Sequence, residues 1–367
     1  MHLLDLVFGF AARGPRFFAD GWGDRALCEA IDPDTLAARP VPRIQLTLGP
    51  ARRAHGGLLH EGHFQSPEER LPDCARVARV RLLLPEGRPP RGVAVHLAAS
   101  GDQGFAVRLA FAAPLLAQGL GAIVLENPYY GARRPANQVG PAVRSVADLQ
   151  LMGSATLQEG RALLRWVREV LGVPLAGVCG FSMGGQLAAM VGACTPFPCA
   201  VVPIAATCSP DSVLKSGSGF VRYVAHWGAL AAKGEDAEGA RLALCAHLAR
   251  FSVTTLPPPV CPEAAIVVGT SADGVVPPSE MRRIAEHWGA DLRWLDAGHV
   301  SAVLRHQGAM RRAVADAFDR LEAALRRVAP SDRGPRRARG SARPARGEGQ
   351  SSAVRARRPD PVADPRT

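Results

Sequence analysis

The chain has 367 residues, 47% of them hydrophobic, enough to bury one large core and far more than a small binding module needs. Its net charge is +11, but ten arginines against four acids between Ala329 and Thr367 supply +6 of that. Lysine occurs only at Lys215 and Lys233, so the charge follows an Arg-, Ala- and Gly-rich composition, and no nucleic-acid partner is expected from it.

Residues 1–45 read as an N-terminal segment packing on the body. Its first apolar run, "LLDLVFGF", is broken by Asp5 and preceded by no basic residue, which argues against a secretory leader; it reads as a short amphipathic helix packing on the body, with contact to a membrane as the other option. Residues 46–328 read as one α/β domain. It opens with an antiparallel strand pair at one sheet edge, residues 56–67 and 75–85. Strands then follow at 92–99, 121–127, 174–180, 199–206, 264–270 and 290–296. Most are apolar without alternation, as strands covered on both faces are. Helices are expected at about 103–118, 143–171, 183–194, 279–288 and 300–328. This order predicts a mostly parallel central sheet with helices on both faces. The longest near-apolar run, 109–125, contains Pro114, Gln118, Gly119 and Gly121, so it reads as a helix turning into a strand rather than a membrane span of ~20 residues.

Residues 209–262 break the alternation with two helical stretches. Phe220, Tyr223, Val224, Trp227 and Leu230 fall on one helical face, as a core stripe or the underside of a lid. Residues 329–367 hold almost no large apolar side chains and are expected to be a disordered basic tail, either solvated or touching an anionic membrane. The eight cysteines, at 28, 74, 179, 194, 199, 208, 245 and 261, form no C-x-x-C pair. They read as buried free thiols of a reducing, cytoplasmic compartment.

Chemistry concentrates at Gly180-Phe181-Ser182-Met183-Gly184. A serine on a sharp strand-to-helix turn projects its hydroxyl above the sheet, and glycines on either side allow the turn. The same pattern also fits a structural Gly-Ser turn. A hydroxyl becomes a nucleophile only with a base and an orienting acid. In chain order these should follow the last two strands, which gives Asp273 as acid and His299 as base. Asp296 is the competing acid. His287 and His306 read as surface residues, His226 and His247 as part of the insertion, and Cys179 as an inert buried thiol. The oxyanion donors are expected at the N–H groups of Met183 and Ala98, with His96 and Asp102 holding the loop around Ala98. "HEGH" at 60–63 lies on strand-like sequence and lacks metal spacing. No metal or cofactor is expected.

These motifs resemble the α/β-hydrolase fold and, more narrowly, the α/β-hydrolase domain-containing protein 18 family. The likeness rests on "EGHFQSP" (61–67), "HLAASGD" (96–102), "LENPYYGARRP" (125–135), "GFSMGG" (180–185) and "GHVSAVL" (298–304), and spans about residues 15–325. Where relatives carry Gly-Thr, this chain has Ala99-Ser100. The resemblance implies an α/β-hydrolase fold with a helical lid insertion, with Ser182 as nucleophile, Asp273 as acid and His299 as base. Tyr129, Tyr130 and Trp227 are candidates for the substrate pocket. Arg133 and Arg134 read as solvated charges, with an anionic headgroup as the other option. The expected activity is hydrolysis of a carboxylic ester of a small acyl substrate, such as an acyl lipid, through an acyl-enzyme. A peptidase or thioesterase with the same triad, or a non-catalytic membrane-docking protein, would carry the same residues.

Overall fold

The computed structural model describes residues 16–215, 225–232 and 234–328. The apolar run before residue 16, the basic tail, and Phe220, Tyr223 and Val224 of the apolar stripe lie outside the described residues. Two short helices come first, α1 (Arg25–Ala30) and α2 (Pro33–Ala38), capped by the side chains of Asp24 and Asp32. Strands β1 (Thr47–Leu48), β2 (Arg52–Ala54) and β3 (Gly57–Gln65) precede the single turn α3 (Asp73–Arg76) and β4 (Val77–Leu84). Then follow β5 (Gly92–Leu97), α4 (Ala106–Ala112), β6 (Leu120–Leu125), α5 (Val146–Glu169), β7 (Leu175–Phe181), α6 (Met183–Ala193) and β8 (Ala200–Ile204). After an insertion come β9 (Ile266–Thr270), α10 (Pro278–Trp288), β10 (Asp291–Leu295), α11 (His299–Arg305) and α12 (Gln307–Val328). The insertion itself holds α7 (Asp211–Lys215), the single turn α8 (Trp227–Leu230) and α9 (Ala237–Ala249).

The sheet order is β1-β3-β4-β6-β5-β7-β8-β9-β10, with β2 paired to β3. Strands β5 to β10 run parallel, and β4 joins β6 antiparallel. Every residue of β5, β6, β8 and β9 is buried. That burial on both faces is why their sequences are apolar without alternation. One face is covered by α5, α6 and α10, the other by α4 and α12. Among the described residues, no helix is long and apolar enough to cross a membrane.

Two expected helices differ in detail. The 103–118 stretch is α4 followed by a 3-10 turn, Ala113–Gln118, that carries Pro114 in its first turn and ends at Gly119 with φ 75°. Proline lacks the N–H that an α-helix would use there, and glycine admits the left-handed exit. The 300–328 stretch is two helices, α11 and α12, broken at His306 with φ −115°.

The N-terminal segment is tied to the body through α5. Gln158 and Arg161 donate to the Leu36 carbonyl at 3.2 and 3.1 Å, Arg161 to the Arg39 carbonyl at 2.8 Å, and Arg165 to the Val41 carbonyl at 2.8 Å. It also meets the insertion. Phe17 forms a β-bridge with Ala225, His226 N–H donates to the Phe17 carbonyl at 2.9 Å, and Trp22 Nε1 donates to the Leu230 carbonyl at 3.1 Å.

Seven cysteines are buried and Cys74 is exposed. Burial pushes the Cys179 and Cys199 thiols up to about 12, which leaves them protonated and slow as nucleophiles. A native chain treated with a disulfide-exchange reagent such as DTNB should therefore show one fast thiol, lost in Cys74→Ser. A second fast thiol would contradict the burial pattern.

Candidate active site

The strand register brings the chemical residues to one edge of the sheet. β5 pairs with β7 so that Leu97 lies opposite Gly180, and Phe181 lies opposite Ile204 of β8. Ser182 therefore leaves β7 beside the loop that follows β5. Leu295 of β10 lies opposite Thr270 of β9, so the turns carrying Asp273 and His299 emerge at the same edge.

Ser182 holds φ 56° and ψ −121°, a conformation that L-residues adopt only under constraint. The constraint is visible in the flanking glycines. A Cβ on Gly180 would sit 2.2 Å from the Gly184 carbonyl oxygen, and one on Gly184 would sit 2.5 Å from the Leu97 oxygen. α6 thus starts in contact with the end of β5, and no side chain fits between them. The Ser182 N–H donates to the Ile204 carbonyl at 2.9 Å, which fixes the turn against β8.

His299 is the first residue of α11 and is buried. Its Nε2 lies 3.0 Å from Ser182 Oγ, and its Nδ1 lies 2.8 Å from Asp273 Oδ2. The carboxylate only accepts, so Nδ1 carries the proton and Nε2 is free to accept the serine proton. The Phe181 ring packs at a tilt of 54° against the imidazole, 4.8 Å between centroids. Burial alone would raise the Asp273 pKa. Hydrogen bonds from His299, Thr270 (2.6 Å) and Val276 (2.8 Å) outweigh it and hold the carboxyl below its usual value. Asp296 is exposed and accepts from Ser271 Oγ at 3.2 Å, away from the imidazole.

Above these residues lies a cavity of about 580 Å³ with a mainly apolar lining, a size and character typical of small-molecule sites. Ser182, Met183, His299 and Tyr130 line it. Tyr129 and Trp227 do not. Tyr129 takes φ 63° and is buried in the turn, where its carbonyl accepts from Gln138 at 2.8 Å. Tyr130 also accepts the Gly101 N–H on its hydroxyl at 3.2 Å. Ala98 is fully buried, and its carbonyl lies against Gly184; Ala99 and Ser100 are the loop residues on the cavity wall.

Several residues of the site carry no signal in the sequence. Phe17, Phe18 and Leu36, from the N-terminal segment, line the cavity together with Val213, Leu214 and Phe251 of the insertion. Arg108 holds the loop after β5 from below. It donates to Asp102 at 2.7 Å, to the His96 carbonyl at 3.0 Å, to the Gly104 carbonyl at 2.6 Å and to the Leu125 carbonyl. Arg133 is not solvated. It lies fully buried in an ion pair with Glu159 at 2.6 Å, while Arg134 is exposed and donates to Gln103 at 3.0 Å. His60, of the "HEGH" stretch, places Nδ1 3.0 Å from the Gly49 carbonyl. Among the described residues, no group of three or more His, Cys, Asp or Glu is placed to hold a metal ion.

His96 is buried beside Cys179, with Nδ1 3.3 Å from Sγ. Burial first, and the Arg108 charge second, lower its pKa from 6.5 to about 3. The folded chain therefore refuses a proton that the unfolded chain accepts below pH 6.5. Stability should be fully present above that pH and fall steadily toward pH 3. In His96→Gln the slope of stability against pH across this window should flatten, measured by urea unfolding at stepped pH. An unchanged slope would mean that His96 does not titrate as described.

The family model for alpha/beta hydrolase domain containing 18 matches residues 15–242 and 225–320. The chain belongs to this family. The alpha/beta hydrolase domain containing 18 match covers both the strand-to-helix turn at Ser182 and the two later turns carrying Asp273 and His299. Solved structures agree on the fold. Acetyl xylan esterase 1 from Thermoanaerobacterium sp. JW/SL YS485 is 15% identical with a TM-score of 0.53, covering 85% of this chain and 99% of its own. The acetyl xylan esterase from Paenibacillus sp. R4 is also 15% identical, with a TM-score of 0.53 over 84% of this chain and 99% of its own. An esterase of Pyrococcus furiosus is 12% identical, with a TM-score of 0.50 over 77% of this chain and 99% of its own. The fold of this member of the alpha/beta hydrolase domain containing 18 family is thus that of the α/β-hydrolases.

Proposed function

We propose that the protein is a serine esterase that cleaves a carboxylic ester with an apolar acyl group through an acyl-enzyme. The observation that carries this reading is the chain of contacts Asp273–His299–Ser182 under a mainly apolar cavity. Ser182 Oγ attacks the carbonyl carbon, and its proton passes to His299 Nε2. The bond to the alcohol oxygen then breaks, Nε2 gives that oxygen the proton, and the acyl group stays on Oγ. Water follows the same route: it loses a proton to Nε2, its oxygen takes the acyl carbon, and the proton returns to Oγ. Asp273 keeps the imidazole oriented and stabilises its charged form.

The oxyanion donors in this reading are the Met183 N–H, at the positive end of α6, and a loop N–H at Ala99, one residue beyond Ala98. The shift to Ala99 follows from the cavity wall, which Ala98 does not reach. The insertion acts as a lid, with the N-terminal segment as its second half, since both contribute lining residues. Tyr130 belongs to the pocket wall.

Labelling of the full chain with a fluorophosphonate tests the mechanism. Label on Ser182 is expected in the wild type and none in Ser182→Ala. A folded wild-type chain that takes no label leaves only a binding protein. A matched set of oxoester, thioester and anilide substrates then sorts the chemistry. The oxoester is expected to turn over fastest, and a thioester or amide preference would move the assignment to a thioesterase or peptidase.

A further inference from the structure

The cavity reaches over the edge of the sheet onto both of its faces. On one face it is lined by Leu149, Met152, Gly153 and Leu157 of α5 with Leu187 and Met190 of α6. On the other it is lined by Val107 and Phe111 of α4, Val303 and Leu304 of α11, and Met310 of α12. The first set packs in the core on one side of the sheet, and Phe111 and Met310 in the separate core on the other, while Val107 and Leu304 stand exposed at the rim of the second arm. Ser182, at the end of β7, stands between them.

We propose that the two arms read the two halves of the ester: the acyl group enters the α5–α6 arm and an apolar alcohol enters the α4–α11–α12 arm. This rests on the esterase reading above. The assignment of halves follows from where the proton goes. His299 must reach the leaving oxygen, and His299 opens the helix whose Val303 and Leu304 line the second arm. The departing alcohol is therefore delivered on that side. The acyl carbon stays on Ser182 with its oxygen toward the start of α6, the helix whose Leu187 and Met190 line the first arm.

Gly153 sets the depth of the acyl arm. It sits inside the 24-residue helix α5, where glycine is a poor helix former. Gly160 of the same helix has a packing reason, because a Cβ there would lie 2.8 Å from Val191. Gly153 has none: a Cβ there meets nothing within 4 Å. The space in front of it is cavity, and any longer side chain would occupy it. A substrate with both halves apolar is the class that such a site takes.

The test compares methyl octanoate, long on the acyl side, with octyl acetate, long on the alcohol side. The readout is the ratio of their kcat/KM values, which general damage to the enzyme does not move. Wild type is expected to cleave both at least tenfold better than methyl acetate. Gly153→Phe should lower the octanoate-to-octyl ratio at least tenfold, and Val303→Phe should raise it at least tenfold. Gly153→Leu and Val303→Leu should give smaller shifts of the same signs, and they serve if a phenylalanine variant does not fold. A ratio that stays put, that moves the same way in both variants, or a wild type that favours methyl acetate overturns the two-arm assignment. If fluorophosphonate still labels Ser182 in that case, the esterase reading stands alone; with no label and no turnover, both fall.

Discussion

Ser182→Ala should lower kcat on any ester that the protein cleaves by roughly 10⁴- to 10⁶-fold. The reason is the division of labour across the contacts at 3.0 and 2.8 Å on either side of His299. Without Oγ there is no acyl-enzyme, and His299 and Asp273 have no proton transfer to assist. The residual rate should match what binding and the oxyanion donors give alone, so a second substitution at His299 should cost almost nothing further. KM should change little, because the hydroxyl is a small part of a large lining. A variant that kept more than a hundredth of the wild-type kcat would move the nucleophile elsewhere. The check is steady-state kinetics on the best ester of the panel, with protein whose circular dichroism and melting match the wild type.

The second large effect is on stability. Arg133→Met should cost about 3–5 kcal/mol, read from the urea midpoint. Arg133 donates to Glu159 at 2.6 and 2.9 Å, to the Ala75 carbonyl at 2.7 and 3.0 Å, and to the Glu126 carbonyl at 2.7 Å. Both partners of the ion pair have 0% side-chain exposure. Removing the guanidinium leaves the Glu159 carboxylate and two carbonyls in a dry interior, and that isolated charge dominates the loss. The double variant Arg133→Met/Glu159→Met should recover most of it. A loss under about 1 kcal/mol in the single variant would mean that the pair opens to water. Within the "NPYYGARRP" stretch, distinctive as sequence, Arg133 is thus a brace between α3, β6 and α5 rather than a headgroup contact.

The sheet was legible because its strands are covered on both faces, which writes burial directly into composition. The chain order of Ser182, Asp273 and His299 was legible because each follows a strand, and parallel strands deliver their C-terminal ends to one edge. What was not legible depends on distant partners. Arg133 and Glu159 are 26 residues apart, with no local pattern to say that they meet. The lining by Phe17, Phe18 and Leu36 depends on how the N-terminal segment lies on α5, which carbonyl contacts decide. Tyr129 and Tyr130 are adjacent and alike in sequence, and only the folded turn puts Tyr130 on the cavity wall and leaves Tyr129 in the packing. The one-residue difference between Ala98 and Ala99 turns on the approach of Gly184 to the strand end, a backbone contact without side-chain signature.

The bridge between Phe17 and Ala225 also sets a clock on the molecule's birth. A chain made at ~5–20 residues per second needs roughly 10–40 s to extend from the first of these positions to the second. Phe17 and Phe18 therefore emerge long before their partners in the insertion exist. The chamber over Ser182 is consequently among the late-closing parts of the newborn protein, and until it closes its aromatic wall stands open to chaperones and to other nascent chains.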